Sequence, residues 1–135
     1  MAILTTAPAD RDAVTNAFSA DSQLVVVSFC AAWCDTCNEF RAAYERIAAA
    51  RPRATFVWLD IEDDAGVAGD VDIENFPTLA VYRGGVPLHF GVSLPHESTV
   101  LRLIDALARS SDAMRGAPPA VTQLPVQMTG LRDRR

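Results

Sequence analysis

Leu24 to Phe29 is an apolar, β-branched run broken only by Ser28, the pattern of a strand covered on both faces. Apolar side chains then recur at helical spacing through residues 34–50, at Cys37, Phe40, Tyr44, Ile47 and Ala48. A buried strand therefore runs into a long helix, which stops near Arg51-Pro52 because proline cannot continue it. Upstream, Ala2 to Thr6 reads as a short edge strand, and Asp10 as the N-cap of a helix reaching about Ala20 that buries Val14, Ala17 and Phe18. Downstream, Ala54 to Asp60 is a second central strand and Asp64 to Gly69 at most a short helix closed by a glycine. Pro77 to Tyr82 and Val86 to Gly91 form a hairpin across Gly84-Gly85. Pro95 to Arg109 is a closing helix with Val100, Leu101, Ile104 and Leu107 towards the sheet. The order βαβαβαββα predicts a three-layer α/β/α sandwich around a central mixed sheet.

From Ser110 the pattern changes. Pro118, Pro119 and Pro125 punctuate a stretch without helical period, and Val121 to Met128 alternates weakly. The division is thus a domain over residues 1–109 and a C-terminal tail over 110–135, either flexible or packed as an arm on its own domain or a neighbour's.

Composition narrows the partners. The chain has 135 residues, half of them hydrophobic, with mean hydropathy +0.12, enough for one compact domain with a real core. Its net charge of −5 argues against nucleic acid. Between Arg53 and Arg83 lie Asp60, Glu62, Asp63, Asp64, Asp70, Asp72 and Glu74 without a base. Such a run is commonly solvated surface; the alternatives are steering of basic partners and reception of the Arg-rich tail end. Its spacing does not fit a calcium loop. His89 and His96 read as surface residues. No basic leader with an apolar core is visible at the start, and nothing approaches a membrane span, so the expected address is cytoplasmic, with no membrane partner. In that compartment three cysteines favour redox or metal chemistry over a structural framework.

Cys34 and Cys37 sit on the first turn of the long helix. Unpaired N–H groups and the macrodipole make that end positive, which favours a thiolate at Cys34, the attacking species in disulfide exchange. Three residues on, Cys37 shares the helix face and lies where it can attack a mixed disulfide. Cys34 is thus the exposed nucleophile and Cys37 the more buried resolving thiol, with Trp33 shielding the site on one side. A metal site would need two more ligands from Cys30, His89 and His96, which lack metal-site spacing. A redox-idle pair on a binding module is the remaining reading.

The sequence Trp33-Cys34-Asp35-Thr36-Cys37 after a buried strand resembles the thioredoxin superfamily. Phe76-Pro77-Thr78 looks like its cis-proline loop, Arg83-Gly84-Gly85-Val86 like its last hairpin turn, and Gly91 like its glycine after the last strand. The resemblance covers about residues 2–109. It implies a cis Pro77 packed against the cysteines, with Trp33, Phe76, Pro77 and Thr78 binding an extended substrate strand. Departures from the family pattern would tune the chemistry. Ser28 stands where thioredoxins bury an aspartate under the cysteines, and a serine hydroxyl relays a proton but is no base at neutral pH. Trp58 stands in place of that aspartate's lysine partner, so no buried charge is left alone. Asp35-Thr36 replaces Gly-Pro, and the Asp35 charge beside Cys34 disfavours the thiolate and points to a more reducing couple. Cys30, at the strand end, is either a small buried hydrophobe or a third redox partner or glutathionylation site.

The function expected is therefore a thiol–disulfide oxidoreductase that reduces protein disulfides through a Cys34/Cys37 cycle. Its only redox group is that disulfide; neither metal nor cofactor is expected. Its partners are disulfide-containing proteins and a separate reductase or small thiol. The alternatives are a redox-idle interaction module of the same fold and self-association through the tail.

Overall fold

A computed structural model describes residues 3–20, 23–68, 71–110 and 112–129. Their elements run α1 (Arg11–Ser19), β1 (Leu24–Cys30), α2 (Asp35–Ala50), β2 (Thr55–Asp60), α3 (Ala65–Ala68), β3 (Thr78–Arg83), β4 (Val86–Val92), α4 (Glu97–Ala108) and α5 (Pro119–Thr129). The strands form one mixed sheet in the order β2-β1-β3-β4; β1 runs parallel to β2 and antiparallel to β3, and β4 is antiparallel to β3.

The apolar run of β1 is buried along its whole length because helices cover both sides of it. Val25, Val27 and Phe29 join Val14, Phe18, Val57, Leu59 and Tyr82 under α1, α3 and α5. Leu24 and Val26, one residue out of phase, join Phe40, Tyr44, Ile47, Val100 and Ile104 under α2 and α4. The period of two in the strand thus assigns its side chains to two separate cores. Ion pairs tie the second layer together at its rim, Arg46 to Glu97 at 2.7 Å and Arg51 to Asp105 at 2.8 Å. The Arg51 guanidinium holds the Asp105 carboxyl below its usual range.

The expected first strand shrinks to one bridge. Leu4 donates to Phe56 O and accepts from Trp58 N, both at 2.9 Å, and pairs with β2 nowhere else; Ala2 lies outside the described residues. Asp10 is the reason. Its carboxylate accepts from Thr5 N at 2.9 Å and Thr5 Oγ1 at 3.0 Å, which turns the chain off the sheet into a 3-10 turn over Pro8–Asp10. Asp10 does precede α1, but its side chain caps no helical N–H. Gly69, the expected stop of α3, is also outside the described residues. In β4 a register shift opposite Val81 and Tyr82 breaks the alternation, so Leu88 and Phe90 fall in different cores. His89 between them is half-buried where a surface residue was expected, and burial pushes its imidazole pKa down.

The larger correction concerns the tail. Residues read as aperiodic form the helix α5, whose Val121, Leu124 and Met128 pack into the core shared with α1 and β1. These positions do lie at helical spacing, but Pro125 inside them reads as a breaker. Proline at 125 has no N–H for Val121 O, its partner four residues back. Tyr82 fills the vacancy: its hydroxyl donates to Val121 O at 2.7 Å from β3. Burial pushes the Tyr82 hydroxyl pKa up, so it remains a donor. A Tyr82→Phe protein should lose about 1–3 kcal/mol, the cost of orphaning a buried carbonyl, in chemical denaturation. Unchanged stability would show that water or a relaxed helix replaces the bond.

Candidate active site

The register gathers one edge of the sheet. Cys30 at the end of β1 lies opposite Asp60 of β2, Phe29 lies opposite Thr78 of β3, and Thr78 opposite Val92 of β4. The N-terminus of α2 follows β1 directly and Pro77 immediately precedes β3, so Cys30, Cys34, Cys37, Pro77 and Thr78 lie at this end of the sheet.

Cys34 occupies the N-cap of α2, with its backbone still extended, and its thiol is half-buried. Its carbonyl accepts the first intrahelical bond from Asn38 N at 3.1 Å. Asp35 and Thr36 follow as exposed residues of the first turn. Cys37, the third helical residue, is 0 % exposed. It is joined by a disulfide to Cys30, also 0 % exposed, with the two Cα atoms 5.7 Å apart. The cystine of this structure is therefore Cys30–Cys37, and Cys34 carries the free thiol.

Beneath the pair lies Ser28, fully buried on the same face of β1 as Cys30. Its hydroxyl donates to Cys30 Sγ at 3.9 Å, a weak contact with sulfur. Ser28 pairs across the sheet with Trp58, so serine and tryptophan face each other where the family carries its buried charges. Trp58 stacks on Phe40 with ring centroids 6.4 Å apart, and the Arg41 guanidinium lies 4.9 Å over its ring. A cation is present near this position after all, supplied by α2 at the surface, and the sequence offered no sign of it.

Around the cysteines the loops are held by the acidic run. Asp60 Oδ2 accepts from Ala32 N at 2.9 Å, and Asp60 Oδ1 from Glu62 N and Asp63 N at 2.8 and 3.0 Å. Asp64 in turn accepts from Asp60 N at 2.8 Å. Glu62 accepts from Trp33 Nε1 at 3.1 Å. Three of the seven acids, Asp60, Glu62 and Asp64, thus fix the approach to α2, a role that only the position of Asp60 at the end of an apolar strand could have suggested. Trp33 is left 63 % exposed, its ring edge-on to Phe76 at 5.7 Å. The Phe76–Pro77 bond is cis, Pro77 O accepts from Ser93 N at 2.9 Å, and Thr78 Oγ1 donates to Asn75 O at 2.6 Å. Gly91, read as the last residue of the hairpin's second strand, lies in β4 opposite Leu79, one residue before the strand ends.

Residues 6–102 match the Thioredoxin family model. The chain belongs to the thioredoxin family. Its similarity to Thioredoxin-2 of Saccharomyces cerevisiae is 34 % identity over 70 residues, 52 % of this chain and 67 % of that one. With the Thioredoxin of Chlamydia trachomatis it shares 30 % over 83 residues, 62 % of this chain and 81 % of the relative. The X-ray structure of Fasciola hepatica thioredoxin superposes with a TM-score of 0.65 over 77 % of this chain and 98 % of its own, at 22 % identity, a likeness of fold. Family and neighbouring cysteines together make this thioredoxin-like chain a thiol–disulfide oxidoreductase. Among the described residues no cluster of three or more His, Cys, Asp or Glu side chains is grouped as metal ligands, and no helix is long and apolar enough to cross a membrane.

Proposed function

We propose that the protein reduces disulfides in other proteins, with Cys34 as the attacking thiol and Cys37 as the resolving one. The observation that carries this is the contrast in access: Cys34 is half-buried at a helix N-cap, and Cys37 is sealed three residues further along the same helix. In the reduced protein the Cys34 thiolate attacks one sulfur of the substrate disulfide, and the other substrate sulfur leaves as a thiolate. Cys37 then attacks Cys34 Sγ, the mixed disulfide breaks, and the substrate departs with two thiols. Exposed Trp33 and half-buried Phe76, in contact with each other, form the wall against which an extended substrate strand lies, with the backbone of the Pro77 loop and Thr78 beneath it.

The reducing direction is supported by Asp35, an exposed carboxylate next to Cys34, which makes the dithiol form less favourable relative to the disulfide. Electrons would come from a separate reductase or small thiol in the cytoplasm, with no bound cofactor. A titration in thiol buffers, with free thiols alkylated and counted by mass, tests the direction. The expected midpoint is at or below about −220 mV, the upper end of the cytosolic glutathione range. A midpoint near about −120 mV would make the protein an oxidant.

A further inference from the structure

Three cysteines meet at this edge, yet the bond joins Cys37 to the one outside the Cys-x-x-Cys motif. Cys30 ends β1 and Cys37 lies on the first turn of α2 facing it, at a Cα separation of 5.7 Å, within the span that a disulfide bridges. Cys37 is thus within reach of two partners, Cys34 along its own helix and Cys30 across from it.

We propose that Cys30 is a third redox cysteine: the Cys34–Cys37 disulfide made in turnover isomerises to Cys30–Cys37, which stores the oxidised state inside the protein and returns Cys34 as a free nucleophile. This rests on the reading that Cys34 attacks and Cys37 resolves. In the step, the Cys30 thiol gives up its proton and its sulfur attacks Cys37 Sγ. The Cys37–Cys34 bond breaks as the Cys37–Cys30 bond forms. Cys34 leaves as the thiolate and takes up the proton. One disulfide and one thiol stand on each side, so no oxidant or reductant is consumed.

The direction follows from burial. In one isomer the odd thiol is Cys30, shut in the core at 0 % exposure; in the other it is Cys34, half-exposed at the positive end of a helix. The sulfur that leaves meets solvent in the second place and is shut from it in the first. Return runs through the same atoms: Cys34 attacks Cys37, and Cys30 leaves as a thiolate that the Ser28 hydroxyl is placed to hydrogen-bond. An outside reductant has no direct access, because both sulfurs of the stored bond are buried. The stored state is opened through Cys34 alone.

The test is a disulfide map of the full-length protein after mild oxidation and alkylation of free thiols in acid. Chymotrypsin cuts after Phe29, Trp33 and Phe40, which puts Cys30 in the peptide 30–33 and both other cysteines in the peptide 34–40. The expected product is the two peptides cross-linked, with the alkyl group located on Cys34 by fragmentation. Separate peptides, with 34–40 closed on itself and Cys30 alkylated, would overturn the isomerisation and leave the reductase reading standing. Three alkylated cysteines and no disulfide would overturn both. Alkylating Cys34 in the oxidised protein should then slow reduction of the remaining bond by a protein dithiol about tenfold or more, since access governs the rate. An unchanged rate would refute the shielding.

Discussion

Cys34→Ser protein should reduce a protein disulfide such as that of insulin at least about a thousandfold more slowly than the parent, because no other described thiol is both free and open to solvent. Cys30 and Cys37 are both sealed in the core, so neither takes over the first attack. The companion change, Cys37→Ser, removes the second step but not the first. Incubated with substrate, that protein should accumulate a covalent complex through Cys34, visible as a non-reducing gel band that collapses with added thiol. The pair of variants separates the roles. Turnover that survives in the Cys34→Ser protein would assign the first attack elsewhere, and a Cys37→Ser protein that releases substrate freely would deprive Cys37 of the resolving role.

Removing residues 117–135 should cost the protein most or all of its folding stability. Val121 and Leu124 are 0 % exposed and Met128 is 8 % exposed, so α5 is part of the core in the same sense as β1. Burying such a side chain contributes roughly 1.5–3 kcal/mol, and three of them about 4.5–9 kcal/mol. The whole stability of a domain this size is about 5–15 kcal/mol, so the loss rivals the total. Truncation also bares Val14, Ala17 and Phe18 of α1 and leaves the Tyr82 hydroxyl without Val121 O. Thermal unfolding by circular dichroism should show a midpoint lowered by more than about 10 °C, or no cooperative transition at all. The milder Leu124→Ala should cost about 2–5 kcal/mol, and keeps the experiment informative if the truncated chain is insoluble. A truncated protein melting within a few degrees of the parent would return α5 to the status of a loose appendage.

These two cases mark where sequence reading succeeds and where it stops. The β1–α2 unit is legible because its signals are local: an unbroken apolar run, a helical period and two cysteines on the turn between them all point the same way. The α5 helix is illegible because the bond that makes Pro125 acceptable comes from Tyr82, 39 positions before the Val121 carbonyl it satisfies. A local rule about proline is correct about the lost N–H and silent about a distant donor. The same limit explains the acidic run. Asp60 and Glu62 look like solvated charge until folding places Ala32 N and Trp33 Nε1 beside them. It explains the cystine as well. The i, i+3 spacing of Cys34 and Cys37 is visible on paper, whereas the approach of Cys30 to Cys37 depends on how α2 settles over the end of β1.

The sheet also works as a partition. On β1, Ser28 and Cys30 open towards α2, and Val27 and Phe29 open towards α1 and α5. The Cys30–Cys37 cystine lies on one side of this wall, and the C-terminal helix braces the other. Substitutions under α5 should therefore change how long the protein survives, and substitutions under the head of α2 what potential it works at, with effects that add where the two sets do not touch. Durability and chemistry can drift, or be redesigned, independently.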